Sequence, residues 1–181
     1  MKCRIFLLFL VLFVGCASEP VVLLNGRTAA GDLVCLDDQS EIPAIVQKFY
    51  ATRDLTTEEG KIDYLIERVI NSKLTFIRNR VEYTGPSAAG FLRWKLGRME
   101  KRHNVVIKTA QDFVSQVVSG SRMSGEPYEV VLSDGSRHNL QYVLQNELDQ
   151  LEACLKQYIH KASEIKAEEK NKASVPQASH E

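Results

Sequence analysis

The chain has 181 residues, 44% of them apolar and 25% charged, and its 23 basic and 23 acidic side chains cancel at neutral pH. This length is enough for one domain with short appendages but not for two domains of ordinary size. A nucleic-acid partner is not expected, because the chain begins with the export signal described next.

The first residues have the pattern of a secretory signal. Lys2 and Arg4 precede an apolar run over residues 5–14, which is followed by Gly15-Cys16-Ala17-Ser18. A charged start, a short apolar segment and small residues at a cleavage point are typical of signal peptides. The run is too short for a stable membrane-spanning helix. We therefore expect residues 1–15 to be removed.

Two cleavages compete at this point. Phe13-Val14-Gly15-Cys16 resembles the bacterial lipobox, in which the peptidase cuts before a cysteine that carries acyl chains such as palmitate. Cleavage after Ala17 would instead leave a soluble periplasmic protein. The first alternative predicts a membrane partner through lipidated Cys16, because several acyl chains anchor a protein stably. By resemblance to Gram-negative lipoproteins, the absence of Asp after Cys16 indicates the outer membrane, with the protein facing the periplasm.

Residues 16–40 are predicted to be a tether with local strand character, although a hairpin is the alternative. Residues 41–160 are predicted to form one α+β domain of several helices and short β-hairpins, with a long C-terminal helix. Residues 161–181 are polar and are predicted to be a disordered tail. Apolar residues at helical spacing predict helices over 41–53, 58–70, 86–102, 110–119 and 144–165.

Turn signals place two hairpins between these helices. Asn79-Arg80 joins predicted strands 74–77 and 81–83, and Asp134-Gly135 joins strands 128–132 and 136–139. Thr109 and Asp112 have the spacing of a capping box at the start of the fourth helix. The last helix has apolar residues at heptad spacing, which favours either a coiled-coil arm or packing against its own domain.

Removal of the signal leaves Cys35 and Cys154 as the two thiols of the mature domain. They are candidates for one disulfide in an oxidising compartment, and two buried thiols are the alternative. No cysteine has another cysteine or a histidine at ligand spacing, so neither a metal site nor a cofactor is expected.

Five short motifs resemble the YfeK-like family of small exported bacterial proteins, a domain of unknown function, over residues 55–142. They are Leu55-Thr56-x-x-Glu59, Phe76-Ile77-Arg78-Asn79, Leu92-Arg93-x-Lys95-Leu96, Thr109-Ala110-x-Asp112-Phe113 and Ser124-Gly125-x-Pro127-Tyr128. The resemblance implies export and one fold, and it assigns no activity. The chain departs from the family pattern at Arg80, where Gly is usual, at Pro86-Ser87, where acidic residues are common, and at Phe91, where His is frequent.

Charge is distributed unevenly along the chain. Nine basic and two acidic residues lie between Lys73 and Lys108, whereas residues 32–67 hold nine acidic and three basic residues. The basic segment predicts an anion-binding surface made of Arg78, Arg93, Lys95, Arg98 and Arg102. The alternative is that this surface pairs with the acidic helix near Glu58 and Glu67 of the same domain.

These features favour a non-catalytic binding or interaction module of the cell envelope. Its partner would be an anionic envelope component, or a protein bound through the C-terminal helix. A periplasmic hydrolase is the alternative, since Ser124, His103 and His138 are present, but no sequence signature links them.

Overall fold

The structure is a computed structural model that describes residues 21–28, 52–103 and 105–173. In chain order the elements are β1 (Val21–Leu23), β2 (Gly26–Thr28), α1 (Glu58–Asn71), β3 (Thr75–Arg78), β4 (Val81–Thr84), α2 (Gly85–His103), α3 (Ala110–Asp112), a π-helical turn (Phe113–Val117), β5 (Glu129–Val131), β6 (Arg137–Asn139) and α4 (Leu140–Ala173). The α+β class and the long C-terminal helix are therefore confirmed. The predicted helix over 41–53 lies outside the described residues, apart from its last two positions.

Four strands form one antiparallel sheet in the order β4-β3-β5-β6. Phe76 is the central residue of this sheet, since it lies opposite Tyr83 on one side and Val130 on the other. Both turn residues of the β3–β4 hairpin, Asn79 and Arg80, have positive φ, as two-residue hairpins of this kind require. The prediction of this hairpin from Asn79-Arg80 is confirmed.

The helices cover the sheet and enclose one apolar core. Thr57 caps α1 by accepting a hydrogen bond from the Gly60 amide, and α1 packs along α2. Buried residues from each main element meet in this core: Leu65 and Val69 of α1, Phe76 of β3, Leu92 of α2, Phe113 of the π-helical turn, and Leu144, Leu148 and Leu151 of α4. The predicted apolar stripes are therefore core-facing, as their spacing requires.

The β1–β2 hairpin differs from the tether predicted for residues 16–40. Val22, Leu23 and Leu24 are buried in the core and pack on α4. The amide of Leu24 donates to Glu147 Oε1 at 2.8 Å, and Asn146 Nδ2 donates to the Val22 carbonyl at 2.9 Å. Three apolar residues and two long-range hydrogen bonds therefore make residues 21–28 part of the domain. The predicted strand at 33–36 lies outside the described residues.

Two helices differ from their predicted form. The fourth begins at the predicted capping box, where Thr109 and Asp112 bond each other's backbone, but becomes a π-helical turn from Phe113. The last helix runs to Ala173, so residues 161–173, predicted to be disordered, are helical. Ala, Glu and Lys dominate that stretch, and these residues favour helix.

Candidate functional site

One face of α2 lines an open cavity. Phe91, Trp94, Lys95, Arg98 and Met99 lie at spacings of three and four, so they share a helical face next to the core-facing stripe. The cavity has a volume of about 440 Å³. This volume falls within the range of about 300–1,000 Å³ that is typical of small-molecule sites.

The opposite wall comes from distant parts of the chain. Arg78 of β3 and Tyr128, next to β5, contribute one side, and Ser121, Arg122 and Met123 contribute the other. These last three belong to the loop that joins the π-helical turn to β5. The cavity therefore lies where α2, the adjacent ends of the two inner strands and this loop meet.

The loop is held in place by short-range and long-range contacts. Ser124 Oγ donates to Asn79 Oδ1 at 2.8 Å, which joins the loop to the β3–β4 turn. The Ser121 amide donates to the Glu126 carbonyl at 2.8 Å. A side chain at Gly120 would place its Cβ 2.5 Å from that same carbonyl, so glycine is required there. These contacts fix the position from which Arg122 reaches the cavity.

Aromatic rings and guanidinium groups alternate around the cavity. The Arg78 guanidinium lies 3.8 Å from the centroid of the Phe91 ring, and the Arg98 guanidinium lies 5.1 Å from that of Trp94. Phe91 in turn meets Tyr128 edge-on, with centroids 5.8 Å apart. Cation–π contacts of this kind hold an arginine without neutralising it. Arg78 also forms a side-chain hydrogen bond with Tyr128, whereas Arg98 keeps its hydrogen-bond donors for other acceptors.

Lys95 differs from the arginines because its donors are used by the fold. Its Nζ donates to the carbonyls of Val117 and Gly120 at 2.6 and 2.7 Å and lies 5.0 Å from the Tyr128 ring centroid. Burial, together with the nearby charges of Arg122 and Arg78, lowers the pKa of Lys95 to about 8. The two carbonyls stabilise the ammonium form, which predominates at neutral pH. Lys95 thus closes the end of the π-helical turn and contributes positive charge to the cavity.

The basic residues of the cavity do not pair with α1, which was the alternative raised by the charge distribution. Among the described residues, none of Arg78, Arg98 and Arg122 has a carboxylate within ion-pair distance. The acidic residues near α1 have other partners: Glu58 pairs with Lys61, Asp63 with Arg53, and Glu67 bonds Asn71. In addition, Arg78 Nε is buried without a hydrogen-bond acceptor.

The structure brings some of the predicted anion-binding residues together and separates others. Arg78, Lys95 and Arg98 line the cavity, whereas Arg93 is exposed on another side of α2. The side chain of Arg102 lies outside the described residues. Arg122, which the sequence analysis missed, completes the group. Its only sequence signal was a lone arginine within a loop rich in Ser and Gly.

Most of the remaining motif residues have structural roles. Asn79 and Ser124 join the turn to the loop, Gly125 has a φ of 73°, and Thr109 and Asp112 form the capping box. Pro127 is exposed and precedes Tyr128, which lines the cavity. Three of the five motifs therefore meet at this cavity, either as its walls or as supports of its loop.

The described residues hold no arrangement that favours hydrolysis. Ser124 contacts Asn79 and the Glu126 amide, and the side chain of His103 is not described. Ser136 Oγ lies 2.9 Å from His138 Nε2 and 2.5 Å from Asp134 Oδ1. A serine nucleophile needs histidine between it and the carboxylate, but here the serine lies between the other two. This group therefore stabilises the β5–β6 turn.

Some of the remaining predictions concern residues that the structure does not describe. Cys16 and Cys35 are not described, and Cys154 is buried in α4, so lipidation and the disulfide stay predictions. The described part of the chain contains no cluster of metal-binding side chains. None of its helices combines the length and the apolar character needed to cross a bilayer.

Comparisons with known proteins agree with the resemblance seen in the motifs. The model of the Family of unknown function (DUF5329) matches residues 56–152. The chain is 36% identical over 72 residues to the uncharacterized protein YfeK of Salmonella typhimurium strain LT2. That match covers 39% of this chain and 57% of the relative, so it spans only part of the relative's length. No solved structure matches the chain.

Proposed function

The chain belongs to the Family of unknown function (DUF5329), and that membership assigns no activity. From the site itself, we propose that the protein is a non-catalytic module that binds an anionic ligand of the cell envelope. One observation carries this proposal. Arg78, Arg98, Arg122 and the Lys95 ammonium surround one cavity, and no carboxylate of the described residues neutralises them. Uncompensated positive charge in a concave site raises the local concentration of anions.

The geometry favours binding over a role for these cations in stability. A guanidinium that stabilises a fold is usually paired with a carboxylate or with carbonyl groups, as Arg68 is with Glu147. Arg98 and Arg122 are exposed, and the Arg98 guanidinium lies over the Trp94 ring. Their planar groups therefore suit a carboxylate or phosphate, which they would bind through paired hydrogen bonds.

Export and lipidation complete the proposal. The signal over residues 1–15 and Cys16 support an outer-membrane lipoprotein that faces the periplasm. Only four residues separate Cys16 from Val21, the first residue of β1. At about 3.3–3.6 Å per residue, the domain would lie within about 18 Å of the acylated cysteine. Mass spectrometry of the mature chain tests this part, because an unmodified N-terminus at Ser18 would contradict it.

Charge reversal tests the binding site. We expect Arg98→Glu combined with Arg122→Glu to lower the affinity for pyrophosphate, a compact polyvalent anion, by at least about tenfold in a calorimetric titration. Arg93→Glu is the matched control, since Arg93 lies on the same helix outside the cavity and should change the affinity little. Equal losses in the control and the double variant would show general electrostatic attraction and would contradict a defined site.

A further inference from the structure

The walls of the proposed anion site are largely apolar. Phe91, Trp94 and Tyr128 contribute aromatic rings, and Met99 and Met123 contribute thioether side chains. A small hydrophilic anion would contact the guanidinium groups and leave these walls in water. Methionine is unbranched and adaptable, so walls of this composition suit a flexible apolar ligand.

The apolar surface continues from the rim into the domain. At the rim, Trp94 is 53% exposed and Met123 is 95% exposed, although both are large apolar residues. At the other end, Arg78, Phe91 and Tyr128 also line a second cavity of about 50 Å³, whose other walls include Phe76, Leu92 and Leu140. The site therefore has apolar surface on both sides of the guanidinium groups.

The charged groups of the site are few and lie at two depths. Arg78 has a buried Nε without an acceptor among the described residues, while Arg98 and Arg122 lie nearer the opening. Small-molecule sites commonly combine apolar walls with a few polar groups that orient the ligand. All of the charged residues that line the larger cavity are cations, whereas Glu129 lines the smaller one, so the group that the cations orient in the larger cavity must be an anion.

We infer that the ligand of this site is an amphipathic anion, in which a carboxylate or phosphate head group is joined to a single apolar chain. The inference rests on the proposed anion binding and specifies its substrate class. A fatty carboxylate and an alkyl phosphate share this chemistry. The head group would bind Arg98, Arg122 and the free Arg78 donor, and the chain would cover Trp94, Phe91 and the two methionines.

The chain provides its own probe for this inference. Trp94 is the only tryptophan of the protein, and it lies at the rim of the cavity under Arg98. A chain that covers the indole replaces water around it, so its fluorescence emission should shift to shorter wavelength. The mature chain with Cys16→Ser carries no acyl group and needs no detergent, which would otherwise compete for the site.

The experiment titrates this protein with octyl, decyl and dodecyl phosphate, with decanoate, with inorganic phosphate and with decyl maltoside, each as monomers. We expect affinity to rise with each methylene that enters the site, by up to about fourfold per methylene. Decyl maltoside, which has no charge, should bind at least about tenfold more weakly than decyl phosphate. A comparison of decanoate with decyl phosphate identifies the preferred head group.

Arginine variants test whether the charged head group of the ligand binds at Arg98 and Arg122. Arg98→Gln with Arg122→Gln should weaken decyl phosphate at least about tenfold and leave decyl maltoside unchanged, whereas Arg93→Gln should change neither. If inorganic phosphate binds as tightly as dodecyl phosphate, the amphipathic ligand is wrong and anion binding stands. If no anion binds the wild-type chain, both proposals are wrong. Binding to acidic vesicles without binding to monomers would assign this face to a membrane surface and would overturn the inference.

Discussion

Two groups of arginines in this domain have opposite surroundings. Arg68 is 7% exposed and donates to both carboxylate oxygens of Glu147, at 2.9 and 3.1 Å. Arg78, Arg98 and Arg122 line an open cavity and face no carboxylate of the described residues. The same side chain is therefore a structural element in one place and an unpaired charge in the other. Pairing with a carboxylate, rather than basic character alone, therefore separates the arginines that stabilise the fold from those that are available to a ligand.

The buried pair also explains how the N-terminal hairpin is held. Glu147 is 1% exposed and accepts a third hydrogen bond, from the Leu24 amide. Its charge and acceptors are therefore used entirely within the fold. Burial raises the pKa of the adjacent Tyr64, and the Glu147 carboxylate raises it further, so this tyrosine stays neutral in the core. The region joins β1, α1 and α4 and has no exposed charge to offer a ligand.

The largest expected effect comes from breaking this pair. Glu147→Ala would leave Arg68 buried without its carboxylate and the Leu24 amide without its acceptor. We expect a loss of about 3–5 kcal/mol in the free energy of unfolding, measured with urea. Glu152→Ala is the matched control on the same helix. Glu152 pairs with Lys61 at the surface, so its loss should cost less than about 1 kcal/mol.

A small effect of Glu147→Ala would contradict the structural role assigned to the pair. A double replacement, Arg68→Met with Glu147→Leu, sharpens the test, because apolar residues of similar volume remove both charges together. We expect it to be more stable than Glu147→Ala alone. Equal stability of the two variants would indicate that the cost comes from the lost Leu24 contact instead.

Lys95 resembles both groups of arginines, because it is buried in the fold and also lines the cavity. Lys95→Met would keep the length of the side chain and leave the Val117 and Gly120 carbonyls without this donor. We expect a loss of about 1–3 kcal/mol in the free energy of unfolding. Lys101→Met, at an exposed position of α2, should stay within about 0.5 kcal/mol of the wild type. An equally small change at Lys95 would show that water can replace its ammonium group.

A smaller effect is expected in the pH dependence of anion binding. The pKa of Lys95 in the folded chain is lowered to about 8, so the ammonium loses its proton as the pH rises from 7 to 9. Burial also raises the pKa of Tyr128, so this phenol stays neutral over the same range. Affinity for pyrophosphate should therefore fall by roughly threefold, as expected for the loss of one nearby charge.

The control for this pH effect is Lys95→Met, which should show no such decrease between pH 7 and 9. An identical decrease in both proteins would assign it to another group. Folding stability should change in the opposite sense. Because the folded pKa lies below the unfolded value of about 10.4, stability is greatest above that value and is lost as the pH falls towards 8.

The sequence predicted the elements whose determinants are local. Apolar stripes identified α1, α2 and α4, the pair Thr109 and Asp112 identified a helix start, and Asn79-Arg80 identified a tight turn. The π-helical turn was not predictable, because its wider geometry depends on the packing of Phe113 and its neighbours. The β1–β2 hairpin was predicted as a tether because its position depends on Glu147, more than a hundred residues away.

The site was also predictable only in part, because some of its residues come together through contacts between distant parts of the chain. Arg78, Lys95 and Arg98 belong to one basic segment, and α2 brings Lys95 and Arg98 to one face by helical spacing. Arg122 reaches this face only because Ser124 contacts Asn79 across the fold. Phe91 stands where the family frequently has histidine. In the structure this residue has a role of its own, because the Arg78 guanidinium stacks on its ring.

The position of a bound anion would show directly whether these arginines form a binding site. A crystal of the mature chain with Cys16→Ser, soaked in selenate, would locate the anion through the anomalous scattering of selenium. We expect a selenate in the cavity, within hydrogen-bond distance of Arg98 and Arg122 and close to Arg78. Selenate bound only elsewhere, or guanidinium groups paired with carboxylates of the same chain, would contradict it.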